Sequence, residues 1–366
     1  MKLAKWLIAA LSVFSLFSDV SAASKQLNVY NWSQYIAPSV VPEFEKSSKI
    51  QVVYDVFDTN EILLAKMLSG QSGYDVVVPS NDFVSRGIHA GALLKLDKSK
   101  LPNWKYLDKD ILKKLEVNDP GNQYSVPYMI DITGIVYNPA LLKKALGKLS
   151  MPEDKWELLF NPVYAEKLSS CGIAFLDSPT EVFASALLYK GIDPNTATAA
   201  NYQEAKKIIS AVRPFVRYFD STRYLSDLAN GNICIALGWN GDAFMANKAA
   251  KQAKKDISVT FITPKKGALM SFDMLTIPKD AKNYDNALTF INYMLSPEVM
   301  AKNTGFTFYG NAVPASKKYL PDAEIINNKA VYPDADDMQH LIVPKPLSLP
   351  LTKLVTRLWS EAKSGN

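Results

Sequence analysis

The chain has 366 residues, with 41 Lys and Arg against 36 Asp and Glu and a formal net charge of +5. That excess is small and evenly spread, which argues against a nucleic-acid partner. Only His89 and His340 supply imidazole, and neither of the two cysteines, Cys171 and Cys234, neighbours a histidine. A Ser/His/Asp triad, a cysteine nucleophile or a His-rich metal site has almost no material to be built from, and no metal or cofactor is expected. The composition points to a binder.

The chain opens MKLAKWLIAALSVFSLFSDVSAASKQ. Lys2 and Lys5 precede an apolar run from Trp6 to Phe17, and Val20-Ser21-Ala22 is a small-residue cleavage pattern. This is the layout of a secretory signal peptide, residues 1–22, cut after Ala22; its apolar core is too short to span a bilayer. Roughly 340 residues then remain, enough for two domains of ordinary size. No later stretch reaches 18 consecutive apolar residues, so a soluble exported protein is expected. An oxidising compartment favours pairing Cys171 with Cys234, which would close a loop worth about 4 kcal/mol. Two buried free thiols are the alternative.

Strands and helices alternate from the first mature residues. KQLNVYNW reads as a strand, QYIAPSVVPEFEKSSK as a helix through Ile36, Val40, Val41 and Phe44, and KIQVVYDVF as a second strand. NEILLAKMLSG reads as an amphipathic helix capped by Asn60 and stopped by Gly70, and YDVVVPS as a third strand, apolar on both faces. This pattern predicts a mainly parallel α/β sheet covered on both sides. In such sheets ligands gather beyond the carboxyl ends of strands. Trp32 and Ser33 stand at one such end, and Ser80, Asn81 and Asp82 at another.

A second unit begins after YSVPYMIDITGIVYNP. CGIAFLDSPTEVFASALLYKG reads as a strand feeding a helix, and NICIALG as a buried strand before GWNGDAF. The chain returns through SVTFITPKKGALMSFDMLTIP, and YDNALTFINYMLSPEVM reads as another helix. Two units joined by crossing strands imply a hinge with a cleft between them.

Several residues suit a cation. Trp239 presents a ring face worth about 0.5–2 kcal/mol to an ammonium, and Asp242 can add a charge-assisted hydrogen bond. Gly238 and Gly241 loosen the chain beyond the NICIALG strand; the bland alternative makes Trp239 a core residue and Asp242 a turn-forming helix N-cap. Glu181 in SPTEVF can complete a capping box behind Ser178 and Pro179, or point a carboxyl oxygen into the cleft. Asp273 lies in an apolar strand and needs a partner, either a ligand or a Lys of the protein. Trp32, Tyr35 and Tyr309 are candidate aromatic walls.

VYNWSQYI, YDVVVPS, DLANGNICIALGWNGDAF and FDMLTIPKDAKN resemble the periplasmic polyamine-binding proteins of bacterial ABC importers, and most closely their putrescine-binding branch. The resemblance runs over nearly the whole mature chain. It implies a two-lobed type II periplasmic-binding-protein fold of α/β class with a ligand cleft between the lobes. Lobe one would hold residues 23–132 and about 266–305 and lobe two about 133–265, with 306–366 packing across both. It further implies a monomeric periplasmic receptor, not an enzyme, that passes a polyamine, putrescine first and spermidine second, to a membrane permease. Trp32, Tyr35, Trp239 and Tyr309 would form aromatic walls; Glu181, Asp242 and Asp273 would bind ammonium; Ser33, Ser80 and Ser221 would supply small hydrogen-bonding groups. The chain departs from the pattern at Gln34, where relatives often carry an acid, and at Ser271, in place of a large aromatic. Asp82 adds a carboxylate to a cluster that is usually neutral, and Asp131 adds another.

Two other readings stand beside this one. A receptor for another small cationic or polar solute would use the same cleft. A secreted hydrolase working through paired carboxylates such as Asp242 and Asp273 would need an acid/base motif that the chain lacks.

Overall fold

The computed structural model describes residues 25–320, 322–334 and 336–365; the expected signal segment 1–22 and its cleavage point lie outside them. In chain order the strands are β1 (Gln26–Trp32), β2 (Gln51–Phe57), β3 (Val76–Val77), β4 (Ser125–Tyr137), β5 (Ile173–Phe175), β6 (Val216–Phe219), β7 (Ile235–Trp239), β8 (Thr260–Ile262), β9 (Ala268–Thr276), β10 (Gly310–Asn311) and β11 (Leu341–Ile342). They join in the order β2-β1-β3-β9-β4-β7-β5-β6, with β8 and β10 on β4 and β11 on β9.

The flanks of this sheet are parallel, β1 beside β2 and β3, and β5 beside β6 and β7. The centre corrects the expectation of a mainly parallel sheet. There β9 runs antiparallel to β3 and β4, and β4 antiparallel to β7. A chain that crosses from one half to the other and returns must run its connecting strands in opposite directions. From Ser125 to Ile132, β4 pairs with β9; from Thr133 to Tyr137 it pairs with β7. One continuous strand therefore belongs to both halves.

Each half has its own apolar core. One gathers Trp156, Phe160, Phe175, Phe183, Tyr224 and Leu237, and the C-terminal helix Leu349–Ser364 adds Val355, Leu358 and Trp359 to it. The other half packs Val29, Phe44, Val76, Tyr128 and Phe290 on one face of its strands, and Val77, Ile132 and Phe272 on the other. Ala312 and Val313 join this second half. Two cores spanned by shared strands make a two-lobed α/β protein. A Cys171–Cys234 disulfide ties the start of β5 to the start of β7, so the free-thiol alternative falls away.

Several local expectations change. The helix Asn60–Leu68 is capped by Thr59, whose hydroxyl accepts the Ile62 N–H at 3.3 Å, and its C-cap is Ser69, not Gly70. The first helix spans Val40–Ser48 and leaves Ile36 outside, while the third strand keeps only its two central valines. The segment read as one helix is two, Tyr284–Met294 and Pro297–Thr307. Pro297 disfavours helical geometry at Ser296 and starts the second helix instead. Among the described residues no helix is long and apolar enough to cross a membrane.

Candidate functional site

The two halves enclose a cavity of about 160 Å³. Trp32, Ser33, Tyr35, Ser80, Glu181, Ser221, Trp239, Asp242, Asp273 and Tyr309 all line it, and Asp82 lines a smaller recess beside it. Residues up to 277 positions apart in the chain thus meet in one place. Among the described residues no Lys, Arg or His lines the cavity or the recess.

Strand ends and helix starts do the positioning. Trp32 ends β1 and Trp239 ends β7, so both indoles stand at the carboxyl edge of the sheet. Three helices begin there, Asn81–His89, Pro179–Tyr189 and Asn240–Gln252, and each carries an acid in its first turn: Asp82, Glu181 and Asp242. The partial positive charge of a helix N-terminus favours an anionic side chain, which makes these the least costly places to hold carboxylates away from water.

Asp242 is the third residue of its helix; the N-cap is Trp239, so the N-cap reading of Asp242 does not hold. Its carboxylate accepts the Tyr309 hydroxyl at 2.8 Å and the Tyr224 hydroxyl on its other oxygen. Gly238 and Gly241 are explained by the same contact. A Cβ at Gly238 would overlap the Tyr224 ring, and one at Gly241 the Tyr309 ring. The two glycines make room for the phenols that hold Asp242; they do not loosen the chain. Burial pushes the Asp242 carboxyl up to about 6, against the two phenol hydrogen bonds that lower it. The phenols of Tyr224 and Tyr309 are themselves held well above their ordinary range by burial, so they stay protonated donors.

Asp273 has no lysine partner. The Ser80 hydroxyl donates to it at 2.8 Å, and Asn60 orients Ser80 by giving Nδ2–H to its hydroxyl and accepting its backbone N–H, both at 3.0 Å. Burial lifts Asp273 to about 6, while Tyr35, Ser80 and Trp32 pull it down. Ser178 is the N-cap of its helix and Pro179 its first residue, as expected, yet no capping box forms. The Ser178 hydroxyl donates to the Glu181 carboxylate instead. Burial drives Glu181 up to about 8, and Asp82, Glu61 and Asp273 push it the same way. Asp82 is raised by burial and partly relieved by Arg86 at 3.4 Å.

Aromatic faces complete the walls. Tyr35 meets Tyr309 edge-on at 5.3 Å and Trp32 packs on Phe57 at 4.4 Å. Leu225 and Met245 add apolar lining. Ser221 accepts the Asp177 backbone N–H at 3.1 Å, and Ser33 lies exposed on the turn after β1. Sequence reasoning missed Asn60, Tyr224, Leu225 and Met245. Met245 carried a usable signal, standing three residues after Asp242 on the same helix face. Asn60 and Tyr224 carried none, because each acts on a partner that only folding brings near. Among the described residues no group of His, Cys, Asp and Glu is arranged to hold a metal ion.

An acid-lined, aromatic-walled cavity between two α/β lobes defines a solute-binding protein. The chain belongs to the bacterial extracellular solute-binding protein family, which matches residues 39–333. It is 47% identical over 345 residues, 94% of each chain, to the putrescine-binding periplasmic protein SpuD of Pseudomonas aeruginosa. It is 45% identical to the putrescine-binding periplasmic protein PotF of Escherichia coli, covering 99% of this chain and 98% of that one. Among solved structures it resembles a putative spermidine/putrescine ABC transporter protein from Listeria monocytogenes. There the TM-score is 0.81 at 31% identity, over 94% of this chain and 100% of the other. These relatives are solute-binding transport proteins, and this chain is not an enzyme.

Proposed function

We propose that this protein is a periplasmic receptor that captures a linear polyamine, putrescine or spermidine, and hands it to the permease of an ABC importer. The observation that carries this reading is the charge of the cleft. Asp131 and Asp273, buried, and Glu181 and Asp242, half-buried, line one cavity, and among the described residues no Lys, Arg or His lines it. Unpaired carboxylates in such a place are costly, and a ligand bearing ammonium groups supplies what the protein withholds. Trp32, Tyr35, Trp239 and Tyr309 would flank the methylene stem and face its cations. Ser33, Ser80 and Ser221 would add small polar contacts, and Asp82 a further carboxylate at the edge. The likeness to putrescine-binding relatives over nearly the whole chain supports the same ligand class.

In this reading residues 23–132 and about 266–305 form lobe one, about 133–265 lobe two, and 306–366 pack across both. The separate cores support this division. The chain works as a monomer after losing residues 1–22.

Thermal-shift measurements with putrescine, cadaverine, spermidine and spermine, beside sugars and neutral amino acids, test the reading. A ligand that binds only the folded state raises the midpoint by mass action, so at least one polyamine should raise it and the neutral solutes should not. A response to sugars with none to amines would overturn it.

A further inference from the structure

Asp131 sits on β4 directly opposite Ser271 of β9, and Asp273 lies two residues along β9 on the same face. Residues opposite or diagonal on one face of an antiparallel pair are near neighbours, so two carboxylates stand side by side in the cavity floor. Asp273 has the Ser80 hydroxyl. Asp131 is only 7% exposed and faces the cavity, and the hydrogen bond that eases its ionisation comes from its own backbone N–H. Burial disfavours its ionised form most, and the neighbouring acids Asp273, Glu181 and Asp82 add to that. Ser271, the small residue beside it, opens onto the recess that Asp82 also lines.

Charge counting gives this arrangement a meaning. A diamine's two ammonium groups can engage at most two of the shielded acids Asp131, Glu181, Asp242 and Asp273, and the others, whose ionised forms burial disfavours, keep their protons until a further cation arrives. Asp242 stands apart, held by the hydroxyls of Tyr224 and Tyr309. The excess falls on the cluster of Asp131, Asp273 and Glu181. Building on the polyamine reading, we propose that Asp131 contacts the ligand and determines specificity: it receives the additional ammonium of a linear triamine, in space that Ser271 leaves open, and so favours a triamine over a diamine.

The test is titration calorimetry of the purified protein with spermidine and with putrescine, at pH 7.5, for wild type, Asp131→Asn and Ser271→Val. Asp131→Asn keeps the shape and replaces a carboxyl that is disfavoured as an anion in the empty cleft, so the ligand-free variant should melt no lower than wild type. Spermidine affinity should fall about 30-fold or more, the loss typical of removing one partner from a buried charge pair, while putrescine affinity changes far less. Ser271→Val fills the space beside Asp131 and should shift the ratio the same way, which keeps the test alive if the first variant folds poorly. Wild-type binding with an unchanged spermidine-to-putrescine ratio in the folded variants overturns the role of Asp131 alone. Wild-type protein that binds neither amine overturns the polyamine reading and this assignment together.

Discussion

Replacing Asp242 by Asn isolates the charge of one carboxylate from its shape. The group lies in the first turn of the helix Asn240–Gln252, with the hydroxyls of Tyr224 and Tyr309 donating to its two oxygens. Burial raises its pKa from 3.8 to about 6, so at neutral pH the ionised form carries a penalty of about 3 kcal/mol in the empty cleft. An arriving ammonium recovers that penalty and gains a charge-assisted hydrogen bond. The amide offers neither, and leaves a desolvated cation facing a neutral group. That costs about 2–5 kcal/mol, or roughly 30-fold or more in affinity. The same change relieves the penalty in the ligand-free protein. Against this stand a lost helix-dipole interaction of about 0.3–1 kcal/mol and one phenol that must turn from donor to acceptor. The ligand-free variant should therefore melt close to wild type, or above it, at pH 7.5. Titration calorimetry with putrescine gives the affinity, and scanning calorimetry without ligand gives the stability. Wild-type affinity, or an affinity loss no larger than the accompanying loss of folding stability, would refute the reasoning.

Three other outcomes follow from the same geometry. Burial raises Glu181 to about 8 and Asp242 and Asp273 to about 6. The stability these groups contribute to the empty protein is thus complete below their unfolded values and is lost as pH rises through 6 to 8. Polyamine binding needs the ionised forms and should weaken about tenfold per group for each unit below its pKa; affinity that does not change between pH 5 and 8 would contradict this. Gly241→Ala gains about 0.5–1 kcal/mol of helix propensity but drives a methyl into the Tyr309 ring, an overpacking cost of about 1–3 kcal/mol. It should lower both melting temperature and polyamine affinity, and a stabilised variant with full affinity would show that Tyr309 moves freely. Ligand should close the lobes about residues 132–134 and 263–267, because the closed form makes more contacts with it. Small-angle scattering should show a smaller radius of gyration with saturating putrescine, and an unchanged radius counts against the hinge.

Sequence by itself determined what could be read from nearest neighbours along the chain and from supply. The period-2 run in QLNVYNW and the apolar run in NICIALG placed strands whose ends carry Trp32 and Trp239, because burial of alternate or successive side chains is imposed locally. Two histidines and two separated cysteines limited the chemistry before any fold was known. Glu181 in the first turn of its helix was also legible, since Ser178 and Pro179 announce a helix start, whereas Asp242 read as a cap and the helix carrying Asp82 went unread. Tertiary structure alone decided what those acids face. Asp273 could have met a lysine, and instead meets Ser80, 193 positions away. Asn60 reads locally as a cap, yet folding assigns the cap to Thr59 and turns the Asn60 side chain to Ser80. Gly238 and Gly241 look like flexible joints until Tyr224 and Tyr309 occupy the space that their missing side chains leave. The antiparallel centre of the sheet escapes a local reading for the same reason. Strand direction is a relation between segments, fixed by which lobe each end must pack against, whereas propensity and period describe one segment at a time.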